Sequence, residues 1–388
     1  MKLLIEIHVI QNYAPSCLNR DDNGSPKDAI FGGTRRARIS SQCLKKAVRN
    51  YFCSMLEQNL LEKDDLASRT KRILDALAGP LIAKGRTREE AEEKVRLALG
   101  SMGLTVKEDG KSEYLLFLGQ REIAGIAEII HEKWEAISTP EKEAASVDGK
   151  KPVKAKKQAV SSADPELKKA LDKVVNGGKA LDVALFGRML ADMPHKNQDA
   201  ACQVAHALST HVFDREFDFY TAVDDLKPDD TTGADMIGTT EFNSACFYRY
   251  AMVDWTKLVQ NLQGDKELAK KGLRAFLSGF VVTEPTGRQS VFAAHNPPEF
   301  VAISVRRNTA PRNLANAFEN ALRVKKGESI TRLSADRLVD KANQLQVAYG
   351  GEGLTYVLNL VGTKVDDFGK VATSLEALLN ESMSAVGI

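Results

Sequence analysis

The residues best suited to chemistry lie between positions 28 and 50, in the run DAIFGGTRRARISSQCLKKAVRN. It combines a double glycine, several arginines, a serine pair and two lysines. Cationic side chains and free backbone amides at a helix start are groups that bind phosphates, so the run favours a track for a phosphate backbone. The GK[ST] ending of a nucleotide-hydrolysing phosphate loop is missing. A solvated helix beside a surface loop is the structural alternative.

The spacing inside this run sorts its side chains by face. Strand alternation over RRARIS puts Arg36, Arg38 and Ser40 on one side. The serine pair that follows predicts a helix start at Ser40–Ser41. Apolar residues then recur at helical spacing and predict a buried stripe. The opposite side of the helix carries four polar residues: Gln42, Lys45, Lys46 and Arg49.

Positive charge is concentrated in this part of the chain. Residues 20–49 contain eight Lys and Arg residues, among them Arg20 and Lys27, against three Asp, a net charge of +5. The whole chain of 388 residues carries only +2. A polyanion site is therefore local and not a property of the whole molecule.

The elements around this run are of mixed type. Strands are predicted at 3–10, 113–119, 182–189, 202–213, 244–255, 290–294 and 299–305. Helices are predicted from 41 to 103 with breaks near Gly79–Pro80 and Gly85, then up to 136, and at 265–280, 312–324, 330–346 and 371–385. The strands at 182–189 and 202–213 are expected to form a long β-hairpin. Because strands and helices mix without strict alternation, the predicted class is α+β.

One segment differs sharply in composition from its surroundings. Residues 138–165 have almost no large apolar side chains and contain a block of lysines. Such a segment cannot bury enough surface to order itself, which predicts a mobile loop. Its lysines could contact nucleic acid, but a solvated linker is the favoured interpretation.

Catalytic and metal-binding patterns are weak. The five cysteines are scattered and never spaced as CxxC, which fits a reducing cytosol and predicts neither disulfides nor a zinc site. The acidic pairs Asp21–Asp22 and Asp224–Asp225 favour turns, and His206 and His211 are expected on opposite strand faces. We expect no catalytic residues, no metal and no cofactor. We also expect a cytoplasmic protein without a membrane segment.

Several motifs resemble one family. Residues 14–49 are similar to the CasC family, the backbone subunit of type I-E CRISPR Cascade complexes. The same holds, in the same order, for FGRM at 186–189, AHALSTH at 205–211, DFYTAVDDL at 218–226, GTTEFNSACFYRYA at 238–251 and NAFENAL at 316–322. The resemblance implies an RRM-like (ferredoxin-like) palm with helical fingers and a β-hairpin thumb. The ranges it implies are 1–50 for the first part of the palm with its basic track, 51–180 for the fingers including the loop 138–165, 181–225 for the thumb hairpin and the return to the palm, and 226–388 for the rest of the palm with C-terminal helices.

The resemblance also implies a function and its residues. Copies of the subunit would form a helical filament on a CRISPR RNA, beside other Cascade subunits, and the guide would pair with target DNA in antiviral defence. The family positions that match RNA-binding residues are Arg20, Ser40, Gln42, Lys45 and Arg49. Lys27, Arg36, Arg38 and Lys46 complete the predicted RNA-binding set from the charge pattern. Met189 and Tyr220 match the two residues that wedge into the nucleic acid.

Two other functional classes stay open. A metal-dependent RNase would cleave bound RNA in the presence of Mg²⁺. A general single-stranded RNA-binding protein would bind without a preferred stoichiometry.

Overall fold

The computed structural model describes residues 2–137, 165–175, 179–222 and 236–387. Its strands are β1 (Leu3–Ser16), β2 (Asp28–Phe31), β3 (Thr34–Ile39), β4 (Ala67–Thr70), β5 (Leu116–Gly119), β6 (Cys202–Val204), β7 (Ala207–Ser209), β8 (Glu216–Ala222), β9 (Met236–Asp254), β10 (Phe300–Arg307), β11 (Glu352–Asn359) and β12 (Lys370–Val371). Its α-helices are α1 (Ser41–Glu57), α2 (Ile73–Ala83), α3 (Arg88–Ser101), α4 (Gln120–Glu132), α5 (Pro165–Val174), α6 (Leu181–Phe186), α7 (Trp255–Asn261), α8 (Lys266–Val282), α9 (Gln289–Phe292), α10 (Ile330–Tyr349) and α11 (Leu375–Val386). Single 3₁₀ turns lie at Lys63–Asp65, Trp134–Ala136, Pro194–Lys196 and Leu314–Phe318.

The chain folds as two compact units. Unit 1 comprises Met1–Gln58, Cys202–Leu258 and Ala269–Ile388, and unit 2 comprises Asn59–Ala201 and Val259–Leu268. The predicted division into palm, fingers and thumb stays a prediction. The residues 138–164 of the predicted mobile loop lie outside the described part of the chain.

Unit 1 is built on one large sheet. Its strand order is β12-β11-β10-β1-β9-β7-β3-β2, with β6 and β8 also paired to β9. All these pairs are antiparallel except β11 with β12. Residues 3–11 of β1 are buried on both faces, as expected for a central strand. The fold therefore combines α-helices with a large, mostly antiparallel β-sheet.

Strand β9 has 19 residues and pairs with four other strands of the sheet, β1, β6, β7 and β8. Its C-terminal part pairs with β1 from Leu4 opposite Asp254 onward. Its N-terminal part pairs with β8, from Glu216 opposite Phe242 to Ala222 opposite Met236. The β-hairpin of this region is therefore made by β8 and β9.

The hairpin that the sequence predicts between 182–189 and 202–213 is wrong. Residues Leu181–Phe186 form helix α6, and the second segment forms the short strands β6 and β7, which pair with β9. Residues 181–185 are all buried, so their sequence has no polar face that distinguishes a helix from a strand. The Asp182 carboxylate supports the helix by accepting hydrogen bonds from the amides of Ala67 and Val183 (2.8 and 3.1 Å).

Unit 2 packs α2, α3, α4 and α5 around one apolar cluster, beside the antiparallel pair β4–β5. The break expected at Gly79–Pro80 is wrong, because α2 runs through both residues. Both are exposed, whereas Leu77 and Leu81 of the same helix are buried. The expected break at Gly85 is confirmed, and its φ of +89° suits glycine.

Some of the other predicted helices and strands are confirmed, and others are wrong. The strand at 299–305 and the helices at 265–280, 330–346 and 371–385 are confirmed as β10, α8, α10 and α11. The strand at 290–294 is wrong, since α9 occupies that position, and 312–324 contains only a 3₁₀ turn. In the described ranges, no helix is both long enough and apolar enough to cross a membrane.

Candidate nucleic-acid interface

The double glycine forms the turn of the β2–β3 hairpin. Phe31 pairs with Thr34, and Gly32 and Gly33 between them have φ values of +57° and +74°. A Cβ on Gly32 would lie 1.8 Å from the carbonyl oxygen of Glu319. The glycines therefore serve a tight turn and a close backbone contact, which accounts for them without a phosphate.

Arg36 requires a correction. Its side chain is fully buried, and its guanidinium donates to the carbonyls of Ser209 (3.0 Å), Phe318 (2.9 Å) and Glu319 (3.0 Å). Its Nε also donates to the Thr34 hydroxyl at 2.8 Å. Alternation on β3 does place Arg36 and Arg38 on one face, but distant segments cover Arg36. Arg36 is thus a structural anchor and is not available to RNA at the surface.

Arg38 lies near the C-terminal end of the same strand and is half-buried. Its Nε donates to the Asp28 carbonyl at 3.0 Å, and its Nη1 lies 3.1 Å from Nδ1 of His206. Burial lowers the pKa of His206, and the charges of Arg38 and Lys27 lower it further. The ring is therefore neutral at pH 7 and accepts from Arg38. These contacts fix the guanidinium near Lys27.

The loop before β2 is tied to the start of α1. The Asn19 side-chain oxygen accepts from the Ser40 amide at 2.8 Å, and the Asn19 carbonyl accepts from the Lys27 amide at 2.9 Å. Asp21 forms the turn by accepting from the amides at 23 and 25, as its sequence predicts. The exposed side chain of Arg20 stands on this turn.

Helix α1 presents the remaining polar residues. The Ser40 hydroxyl caps it by accepting from the Cys43 amide at 3.3 Å, and the first turn contains no acidic residue. Of the stripe that the spacing predicts, Leu44, Ala47, Val48 and Phe52 are buried, whereas Tyr51 is half-buried. Met55, one turn further along the helix, is buried as well. Gln42 and Lys46 are exposed, while Lys45 and Arg49 are half-buried. Within the described residues, Lys45 and Lys46 have no carboxylate partner.

These residues form one surface of unit 1, which we call the cationic patch. It consists of Arg20, Lys27, Arg38, Ser40, Gln42, Lys45, Lys46 and Arg49. The Lys27 amide donates to the Asn19 carbonyl, the Arg38 amide donates to the Lys27 carbonyl, and the Ser40 amide donates to the Asn19 side chain. These bonds bring the three contributing segments together. Of the predicted RNA-binding residues, Arg36 and Ser40 are buried, and the others are exposed or half-buried on these linked segments.

Met189 lies in unit 2, in the loop 187–190, which we call the Met189 loop. Arg188 before it is buried and donates through Nη1 to both carboxylate oxygens of Glu122 (2.7 and 3.0 Å). Arg188 also donates to the Val175 carbonyl at 2.8 Å, and the amide of the buried Leu190 donates to Asn197. Arg188 and Leu190, the two neighbours of Met189, are thus fixed in the interior of the unit, while the Met189 side chain is 79% exposed.

Tyr220 lies on β8 in unit 1, opposite Gly238 of β9. A Cβ on Gly238 would come within 2.3 Å of the tyrosine ring, so the ring lies directly over the glycine backbone. Tyr220 is 44% exposed. Phe217 and Phe219 on the other face of β8 are also exposed, and alternation over EFDFYTA could have indicated them.

Groups for metal catalysis do not converge in the described part of the chain. There, no three His, Cys, Asp or Glu side chains form a metal-binding group. His211 accepts through Nε2 from the Cys246 amide at 3.2 Å and is engaged in the fold. The pair Asp224–Asp225 lies outside the described residues.

Comparisons with known proteins agree over the length of the chain. A family model described as CT1975-like protein matches residues 5–384. A chain of a solved structure titled "CRISPR RNA-guided surveillance complex, pre-nicking" is similar with a TM-score of 0.83 and 31% identity, covering 99% of this chain and 100% of that chain. A chain titled "CRISPR RNA-guided surveillance complex" has a TM-score of 0.73 and 28% identity, covering 98% and 99%. No curated protein matches. The extent of the family match shows that the chain belongs to the CT1975-like protein family, a family of CRISPR-associated (Cas) proteins.

Proposed function

We propose that the chain is a CRISPR RNA-binding backbone subunit of a Cascade-type surveillance complex, of type I-E by its resemblance to CasC. The similar solved structures are named as CRISPR RNA-guided surveillance complexes and match over almost the whole chain. Copies of the chain would line up along one guide RNA, with other Cas subunits as partners. The guide would then pair with target DNA.

The observation that carries this proposal is the cationic patch. Lysines on an exposed helix face, without carboxylate partners in the described residues, lie beside a capped helix start and a turn that carries Arg20. Contacts of this kind bind phosphates and carry no base information. A guide of any sequence therefore suits the patch, as a surveillance complex requires.

Met189 and Tyr220 are proposed to separate bases. A methionine adapts its shape and makes favourable contacts with π faces, while a tyrosine ring stacks on any base. Neither has a donor–acceptor pattern suited to distinguish one base from another. Their exposure and the rigid supports beneath them, the Arg188–Glu122 pair and Gly238, are consistent with wedges that interrupt guide–target pairing at intervals.

We propose a scaffold without catalytic activity. The test is co-expression of the chain with a CRISPR array and the other subunits, followed by affinity purification. We expect RNA of uniform length and several copies of this chain per complex. Lys45→Ala/Lys46→Ala should reduce the RNA recovered, whereas Lys270→Ala/Lys271→Ala, an exposed lysine pair on the equally long α8, should not. RNA of random lengths would indicate general RNA binding, and Mg²⁺-dependent cleavage would indicate an RNase.

A further inference from the structure

A polar cavity of about 180 Å³ lies in unit 1 on the sheet face beneath α10. Its floor is a row of cross-strand neighbours, with Glu6 opposite Ser304 and Ser304 opposite Thr355. The surrounding residues of this sheet face and of α10 form an apolar cluster. A buried polar row in such surroundings costs free energy unless its groups have partners. None of the proposed RNA-binding residues lines this cavity.

Arg306 is one of the residues that line the cavity, and one of its buried donors has no acceptor in the described part of the chain. The residue is 8% exposed, its Nε donates to Thr309 Oγ1 at 3.1 Å, and Nε lies 3.6 Å from Glu6 Oε2. Its Nη2 is buried without a hydrogen-bond partner in the described part of the chain. A buried guanidinium donor that lacks an acceptor is costly, and a ligand oxygen would remove that cost.

His8 supplies a second donor. It is 3% exposed, and its Nδ1 lies 2.9 Å from the Tyr248 hydroxyl, whose oxygen already accepts from the Leu314 amide. The Tyr248 hydroxyl has no other acceptor among the described residues, so its proton points to Nδ1 and the neutral ring carries its own proton on Nε2. Burial lowers the pKa of His8 to about 3, so the ring is neutral at pH 7. Nε2 has no partner among the described residues.

Most of the acceptors that line the cavity are engaged, and Glu6 Oε2, 3.6 Å from Arg306 Nε, is the buried carboxylate oxygen of the lining that has no hydrogen bond in the described part of the chain. Glu6 Oε1 accepts from the Tyr250 hydroxyl (2.8 Å) and the Arg312 amide (2.5 Å). Gln346 Oε1 accepts from Arg312 Nη1 at 2.8 Å. The hydroxyls of Ser304 and Thr355, 2.8 Å apart, share one hydrogen bond and leave one proton to donate. The unpartnered donors, on Arg306, on His8 and on the hydroxyl pair, therefore outnumber this one carboxylate oxygen.

The charged residues that line the cavity also favour an anion. Two guanidinium groups, Arg306 and Arg312, face one buried carboxylate, Glu6, while Asp367 is exposed to solvent. We propose that this cavity binds a small oxyanion, the phosphate or carboxylate group of a small molecule. The volume admits a group of a few heavy atoms. Arg306 and His8 would donate to its oxygens.

Isothermal titration calorimetry of the full-length chain tests the proposal. Inorganic phosphate and acetate are titrated separately, which distinguishes a phosphate ligand from a carboxylate ligand. Binding should be saturable for at least one anion. Arg306→Met should raise Kd about tenfold or more, since hydrogen bonds to charged groups are the strong ones. Ala342→Leu, which fills the cavity from α10 and keeps every charge, should abolish binding.

Two controls separate this site from general anion binding. Arg332→Met removes an exposed charge from α10, and Lys45→Ala/Lys46→Ala weakens the cationic patch. Both should leave Kd unchanged. The proposal is overturned if the wild-type chain binds neither anion, or if the lysine variant alone loses binding. It also fails if Ala342→Leu, folded by circular dichroism, binds like the wild type, and this variant decides the matter if Arg306→Met does not fold.

Discussion

The cationic patch and the Met189 loop both hold side chains outward, but they are built in different ways. The patch includes residues of a loop, a strand and a helix, which are linked by backbone hydrogen bonds, by the Asn19 side chain and by the Ser40 cap. The Met189 loop depends mainly on one buried ion pair, Arg188 with Glu122. Losing one of the patch lysines should therefore affect binding alone, whereas losing Arg188 should affect the fold.

The same comparison separates two classes of arginine. Arg36 and Arg188 stand inside motifs that suggest RNA contact, yet both are buried and donate to backbone carbonyls. Arg20 is exposed. An arginine within a nucleic-acid-binding motif can thus build the surface on which its neighbours bind.

The largest effect is expected for Arg188→Ala. It leaves the Glu122 carboxylate buried without its cation, and breaking a buried pair in this way typically costs about 3–5 kcal/mol. The free energy of unfolding in urea should fall by that amount. Met189→Ala is the control, since an exposed side chain should change the free energy by less than about 0.5 kcal/mol. Equal stabilities of the two variants would contradict the described role of Arg188.

Arg36→Ala should have the next largest effect. The change leaves the carbonyls of Ser209, Phe318 and Glu319 without their donor, and we expect a loss of about 2–4 kcal/mol, since hydrogen bonds to charged groups contribute about 1.5–3 kcal/mol. Arg38→Ala, at the surface end of the same strand, should cost less than about 1 kcal/mol. The reverse order of stabilities would show that Arg36 is not an anchor.

A smaller effect is expected for Gly32→Ala. The new Cβ would collide with the Glu319 carbonyl at a positive φ, which we expect to cost about 2 kcal/mol. Gly33→Ala has a similar φ but meets open space, so it should cost about 1 kcal/mol. Thermal unfolding of both variants measures the difference, and a Gly33 variant that is the less stable of the two would refute the close contact.

The sequence predicts local features of this protein better than distant ones. Helix α1 and its Ser40 cap follow from periodicity and a known capping residue, both read within a few positions. The burial of Arg36 does not, because the residues that cover it lie near position 318. The strand expected at 182–189 fails for a related reason, since a short run buried on all sides has no periodicity.

The candidate site shows the same limit. The polar side of α1 could be assigned from spacing alone, and Tyr220 and Met189 could be assigned only through a family resemblance. Neither route reveals what supports them. The contact of the Tyr220 ring with Gly238 and the Arg188–Glu122 pair each join positions that the sequence gives no reason to pair.

The salt dependence of RNA binding tests the central claim most directly. For single strands, the logarithm of affinity should fall linearly with the logarithm of salt concentration, by about 0.7 for each neutralised phosphate. Lys45→Ala/Lys46→Ala should flatten this slope by about 1.4 and weaken guides of different sequence alike. Lys270→Ala/Lys271→Ala should keep the wild-type slope. An unchanged slope in the first variant, or a loss confined to one RNA sequence, would contradict a phosphate-binding role for the cationic patch.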